Sequence, residues 1–235
     1  MRIPGKVYLI PSFLHENGLE ALPLYLKNAA ADCSVFFVEN ERSARRFFKK
    51  IWKEMVIDDY QWVTIHNAEE KVKAQFKSFL NQGKNIAIIS EAGCPGIADP
   101  GQILVEVAQQ MNAQVKPLVG PSSILLALMA SGMNGQQFQF VGYLPIAENE
   151  KIKKLKELEL ESRKKSCTQI FIETPYRNNQ MIQTILKNAD SSTQLCIAVD
   201  LTGDTEWVKT KSISDWQNEM PDIHKRTAIF LILAR

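Results

Sequence analysis

The sequence predicts an α/β protein of two α/β domains, the first built on a parallel sheet and the second on a mixed one. Two observations carry this. Short, fully apolar runs alternate with helical patterns through the first half, and polar turns join successive apolar runs in the last third. Uninterrupted apolar runs suit strands buried on both faces, as in a parallel sheet covered by helices. The runs are KVYLI (Lys6–Ile10), SVFFV (Ser34–Val38) and NIAIIS (Asn85–Ser90), with Gln114–Leu118 as a further extended segment. Helical patterns fall at Gly18–Ala31, where Pro23 is a local irregularity, and at Arg42–Glu54, Ala68–Leu80 and Gln102–Met111. In the second half, helices are expected at Ser122–Ser131, Lys151–Lys164 and Asn178–Lys187. Strands are expected at Phe138–Val141, Thr168–Ile172, Thr193–Asp200, Glu206–Thr210 and Thr227–Leu233. Turns such as Thr202–Asp204 suggest antiparallel pairing among the last of these. The texture changes around 116–121, so the division is placed between domains 1–118 and 119–235.

The 235 residues give room for two small domains sharing an interface. Apolar residues make up 45% and charged residues 23%, which excludes wholesale disorder. A net charge of +2 does not by itself point to nucleic acid. Cys33, Cys94, Cys167 and Cys196 lie far apart, as do His15, His66 and His224, so no metal site is expected and free thiols suggest a reducing compartment. MRIPGKVYLIPSFL is interrupted before a signal-type core develops, and AIFLILA is too short to span a bilayer. A soluble cytoplasmic protein is expected.

Three loops are candidates for chemistry. SEAGCPGIADPG (Ser90–Gly101) follows a buried strand and precedes a helix, where ligands sit in open α/β sheets. It is either a ligand loop or a plain connection, and it matches neither phosphate-cradling pattern. VGPSSILLALMASGM (Val119–Met133) opens a helix on Ser122 and Ser123, which either cap it or present its N–H groups to a ligand. FIETPYRNNQ (Phe171–Gln180) ends a strand on Glu173, which either pairs with Arg177 or faces a ligand.

Taken together and in order, these stretches resemble the tetrapyrrole methylase superfamily, and within it the ribosomal RNA 2′-O-ribose methyltransferase branch. The branch pattern SDAGxPxISDPG meets SEAGCPGIADPG here. PLPGPSAxxxALxxSGL followed by GFLP meets PLVGPSSILLALMASGM followed by GYLP (Gly142–Pro145). FYESPHR meets FIETPYR, and an AEDTR-type segment meets VENERSARRFF (Val38–Phe48). The resemblance implies two α/β domains with S-adenosylmethionine in the cleft between them, usually in a homodimer, the first domain on the substrate side and the second on the cofactor side. Carried over, Gly93, Cys94 and Ile97 line one side of the cofactor, and Ser122, Ser123 and Ile124 the other, with Glu173 nearby. An RNA substrate in the small ribosomal subunit follows from the same likeness.

The chain departs from the branch at its opening. TPIGNLxD is replaced by IPSFLHENG (Ile10–Gly18), and the SYHxHNE-type segment is reduced to WVTIHNAEE (Trp62–Glu70), where only His66 and Asn67 are recognisable. The altered loop keeps open a small-molecule or protein substrate, or a non-catalytic cofactor-binding protein. For a ribose hydroxyl acceptor, a base or polarising group helps, and Glu39, Arg42 and Asp99 are the candidates. Glu39 is otherwise a helix-start carboxylate facing Arg42 or a backbone amide. The segment Glu41–Glu54 spreads Arg42, Arg45, Arg46, Lys49, Lys50 and Lys53 over one face, either a solvated surface or an RNA contact. KIKKLKELELESRKK (Lys151–Lys165) reads as a solvated amphipathic helix.

Overall fold

A computed structural model describes residues 4–65 and 69–234. His66, Asn67 and the expected helix start at Ala68 lie outside these residues. The described chain divides into two compact units, Met1–Ser122 and Ser123–Arg235.

In the first unit, strands β1 (Val7–Ile10), β2 (Val35–Val38), β3 (Gln61–Thr64), β4 (Ile86–Ile89) and β5 (Val115–Pro117) form a sheet of order β3-β2-β4-β1-β5, with every pair parallel. Alternate residues enter opposite faces, as the two-residue period of a strand requires. Tyr8, Ile10, Phe36, Val38, Ala87 and Ile89 pack with helices α1 (Leu26–Ala31) and α2 (Glu41–Ile51). Val7, Val35, Phe37, Ile86 and Ile88 pack with α3 (Glu69–Asn81) and α4 (Gln102–Gln110). The loop leaving β2 therefore turns to one face and the loop leaving β4 to the other, which opens a crevice at their carboxyl ends.

Pro23 splits the expected Gly18–Ala31 helix. Leu22 is forced to extended backbone (φ −101°, ψ 129°), leaving a short 3-10 turn at Leu19–Ala21 and then α1. Helix α2 stops at Ile51 rather than Glu54; Trp52 leaves helical geometry while its N–H still bonds the Phe48 carbonyl. Strand β3 was not expected. Beyond β5 the chain stays with the first unit to Ser122. Leu118 donates to the Leu9 carbonyl, Val119 to the Tyr25 hydroxyl, and Gly120 lies against Pro11. These contacts put the division four residues past the expected 118.

A Cβ on Gly120 would sit 2.2 Å from Pro11 Cβ. Gly120→Ala is expected to lower stability by about 1–3 kcal/mol through overpacking. Gly135→Ala, which meets nothing within 4 Å, is the control. Equal denaturation midpoints for the two variants would contradict the close approach.

The second unit holds β6 (Phe138–Tyr143), β7 (Thr168–Ile172), β8 (Gln194–Val199), β9 (Trp207–Ser212) and β10 (Ala228–Leu233), in the order β6-β7-β10-β8-β9. β6 and β7 run parallel, while β10 is antiparallel to β7 and β8, and β9 to β8. Helices α6 (Glu148–Lys165), α7 (Asn178–Asn188) and α8 (Ile213–Asn218) cover one core; α5 (Ser123–Ser131) packs on β8, β9 and β10 outside it. α6 is amphipathic, as expected. It buries a stripe at Lys151, Leu155, Leu158, Glu159 and Ser162, the spacing of one helical face. Its buried charges are matched: Lys151 by Glu148 at 3.2 Å, and Glu159 by the Asp190 N–H and the Thr193 hydroxyl.

Candidate functional site

The crevice of the first unit is a pocket of about 180 Å³ at the carboxyl ends of β1, β2 and β4. Its floor is apolar, from Val38, Ala44, Phe47 and Ile89, and its walls carry Ser12, Glu39, Ser43 and Glu91. Three loops are tied together around it. Ser12, just after β1, donates its N–H to the Gly93 carbonyl and its hydroxyl to the Glu91 carbonyl, both at 3.0 Å. Thus the altered Ile10–Gly18 segment is anchored to the glycine loop after β4. Glu91 donates its N–H to Glu39 Oε1 at 3.0 Å, and its own carboxylate accepts the Ser43 hydroxyl at 2.7 Å.

The start of α2 is capped by Asn40, whose side chain accepts from the Arg42 and Ser43 N–H groups at 3.0 and 3.2 Å. Glu39 is thereby freed from the capping role and turns across to the β4 loop. Its carboxyl lies within hydrogen-bonding reach of Asp99. Asp99 Oδ1 accepts from Gly96 and Gly101 and folds the loop back on itself. Among the described residues, no hydrogen-bond donor faces the buried Asp99 Oδ2. A proton on Glu39 supplies the donor that corner lacks. Consistently, Glu39 is pushed up to about 7, first by burial and then by its hydrogen bond to Asp99. The charges of Asp99 and Glu91 add to this, and the Glu91 N–H opposes it. A carboxyl that gains and loses its proton near neutrality is suited to acid–base work.

Of the three acid–base candidates, the structure brings Glu39 and Asp99 together. Arg42 is exposed on the first turn of α2; Arg46 and Lys50 are the cations that reach the pocket. Glu91, Ser12 and Ser43 were missed. Lys50 lies 3.4 Å from Glu16 and 5.1 Å from the centroid of the Phe13 ring, so an aromatic edge and a cation stand together at the rim.

In the glycine loop, Gly93 is buried at φ +72°. A Cβ there would lie 3.1 Å from Leu14 Cδ2 and 3.2 Å from the Pro121 carbonyl oxygen. Cys94 points its sulfur at the Gly120 and Pro121 carbonyls, and burial raises its pKa, so it stays a thiol. Ile97 is 53% exposed. Ser122 ends the first unit; Ser123 and Ile124 open α5 in the second, all half-buried. Glu173 is buried and committed locally. Its Oε1 accepts from the Thr174 N–H and from the Arg177 Nε and Nη2, at 2.7, 3.0 and 2.6 Å. Of the two readings for this residue, the ion pair is the one formed.

Among the described residues no group of three or more His, Cys, Asp or Glu is placed to hold a metal ion, and no helix is long and apolar enough to cross a membrane. The four cysteines are free thiols.

A parallel sheet with its crevice over β2 and β4, followed by a mixed-sheet unit, defines a two-unit α/β protein with a ligand crevice at its strand ends. Residues 18–216 match the family model for tetrapyrrole (corrin/porphyrin) methylases, and the chain belongs to that family. It is 34% identical over 170 residues to the ribosomal RNA small subunit methyltransferase I of Buchnera aphidicola subsp. Schizaphis graminum, covering 71% of this chain and 58% of that protein. The protein of the same name from Bacillus subtilis is 29% identical over 218 residues, with 92% and 71% covered. The chain thus spans little more than half the length of the Buchnera relative. The fold is similar to that of uroporphyrin-III C-methyltransferase from Thermus thermophilus, a structure complexed with S-adenosylhomocysteine. There the TM-score is 0.57 at 14% identity, with 97% of each chain covered.

Proposed function

We propose that this chain is a methyltransferase that uses S-adenosylmethionine to methylate a ribose 2′-hydroxyl of RNA in the small ribosomal subunit. The observation that carries the reading is the Glu39–Asp99 pair beside a small, apolar-floored pocket. A volume of about 180 Å³ is below the ~300–1,000 Å³ of sites that engulf a small ligand. This favours a group presented by a larger molecule over a free metabolite. The names of the relatives point the same way.

The residues fit the cofactor. Gly93 lets the loop pass close against Leu14 and the Pro121 carbonyl at φ +72°, and Ile97 offers an exposed apolar surface to an adenine ring. Gly93, Cys94, Ile97, Ser122, Ser123 and Ile124 would hold it. Glu173 joins them only through its position at the strand end, because its Oε1 is already committed to Arg177. When bound, the cofactor supplies a methyl group activated on a sulfonium. The chain's own work is to orient the acceptor, exclude water and move one proton. Glu39 accepts the hydroxyl proton. The Glu91 N–H fixes the direction of its carboxylate, and burial, with Asp99 second, keeps its basicity near neutral pH. Arg46 at the rim balances a phosphate. We assign the first unit to the substrate and expect a homodimer, both on the family resemblance, and place the protein in the cytoplasm on its free thiols.

Calorimetric titration with S-adenosylmethionine and S-adenosylhomocysteine tests the reading. Micromolar binding is expected. Absence of heat with both would leave a scaffold that has lost its cofactor.

A further inference from the structure

We propose that the solvent edge of α2 is the track by which an RNA strand reaches the Glu39 pocket, with Arg42 and Arg46 as its phosphate contacts; the proposal rests on the methyltransferase reading above. The helix reads ERSARRFFKKI, with five cations against the single anion Glu41. Its other polar and apolar groups have work to do within the fold. Ala44, Phe47 and Phe48 are buried, and Arg45 pairs with Glu41. Lys49 donates to the carbonyls of Lys53 and Met55 at 3.1 and 2.6 Å, closing the end of the helix, and Lys50 meets Glu16.

Arg42 and Arg46 remain. Both are exposed, and among the described residues no hydrogen bond or ion pair involves either guanidinium. They sit one turn apart on the same face, where like charges weaken a helix. The fold gains nothing from keeping two unneutralised guanidinium groups side by side.

Their place in the fold indicates what they meet. Ser43, Arg46, Phe47 and Lys50 line the pocket, so the pocket runs along this helix and Arg46 stands at its edge. Arg42 continues the same edge by one turn, about 5.4 Å. Phe13 faces them from the opposite wall, half-buried, edge-on to Phe47 at 5.7 Å. A cationic edge opposite a half-buried aromatic at a pocket rim is a pairing that suits single-stranded nucleic acid, phosphates on one side and a stacked base on the other. The occupant is an unpaired RNA segment, not a duplex, because the pocket accepts one group at a time.

The test uses the whole chain saturated with S-adenosylhomocysteine. Fluorescence anisotropy of a labelled oligouridylate is measured across a range of potassium chloride concentrations. Arg42→Gln/Arg46→Gln is expected to weaken binding about tenfold at low salt. It should also flatten the slope of log affinity against log salt by about 1 per arginine. Thermal midpoint and cofactor affinity are expected to stay at the wild-type values. Lys153→Gln/Lys156→Gln, the same charge change at exposed positions of α6, is expected to leave the slope unchanged. A wild-type slope in the arginine variant, or an equal loss in the lysine variant, overturns the track while leaving the methyltransferase reading in place. Wild-type protein that binds cofactor but neither oligouridylate nor purified small ribosomal subunits overturns the RNA substrate itself, and the track with it.

Discussion

Glu39→Gln is expected to lower methyl transfer at pH 8 by at least about 100-fold, the low end of what a positioned base contributes, with cofactor affinity nearly unchanged. The isosteric amide keeps the acceptor for the Glu91 N–H but cannot take a proton. In the wild-type protein the working form of Glu39 is the carboxylate, so the rate rises with pH and levels off above about 7. The same residue carries a stability signature of defined sign. Its pKa stands at about 7 in the fold against an ordinary 4.5. Between these values the folded chain holds a proton that the unfolded chain has released, so stability falls as pH rises through this window. Above pH 7 the full cost is present, a charge held half-buried beside Asp99. Glu39→Gln removes that cost. After discounting for solvent screening, the variant is expected to be about 1–2 kcal/mol more stable than wild type at pH 8, with the two converging near pH 4. Denaturation and rate profiles from pH 4 to 9 check both halves. A variant that turns over at the wild-type rate would remove Glu39 from the chemistry. One that is less stable at pH 8 would contradict the cost assigned to the Glu39 charge.

Gly93→Val is expected to reduce S-adenosylmethionine affinity by more than about 100-fold. The backbone there is at φ +72°, a region that costs a β-branched residue dearly. The new Cβ also presses on Leu14 and on the Pro121 carbonyl. The loop must shift, and with it Cys94 and Ile97. Gly93→Ala, with the smaller intrusion, is expected to show an intermediate loss while keeping the fold intact by circular dichroism. Wild-type affinity in both variants would move the cofactor away from this loop. Ser123→Arg is expected to act in the same direction from the other assigned segment.

The apolar strands were legible because a doubly covered sheet leaves no room for polar residues. Val35–Val38 and Ile86–Ile89 are buried at every position. Strand β3 was not legible: it lies at the sheet edge, largely half-exposed, and its Gln-Trp-Val-Thr carries no such run. Helix α8 had a signal that went unread, Ser212 followed by Asp215, and the Ser212 hydroxyl does accept the Asp215 N–H. In the site, Glu39 and Asp99 were each legible as polar residues in motif loops. Their meeting was not, since sixty positions separate them and only the strand order β2-β4 joins their loops. Glu91, Ser12 and Ser43 act through cross-loop hydrogen bonds, which leave no periodic trace in a sequence. For Glu173 the spacing offered Arg177 as one of two partners, and the ion pair is present.

The central claim is tested most directly by incubating the protein with methyl-labelled S-adenosylmethionine and small ribosomal subunits from cells that lack this methylation, then digesting the RNA to nucleosides. Label recovered in a 2′-O-methylated nucleoside, lost with Glu39→Gln, is the result expected. Cofactor binding without any label in the RNA would contradict it.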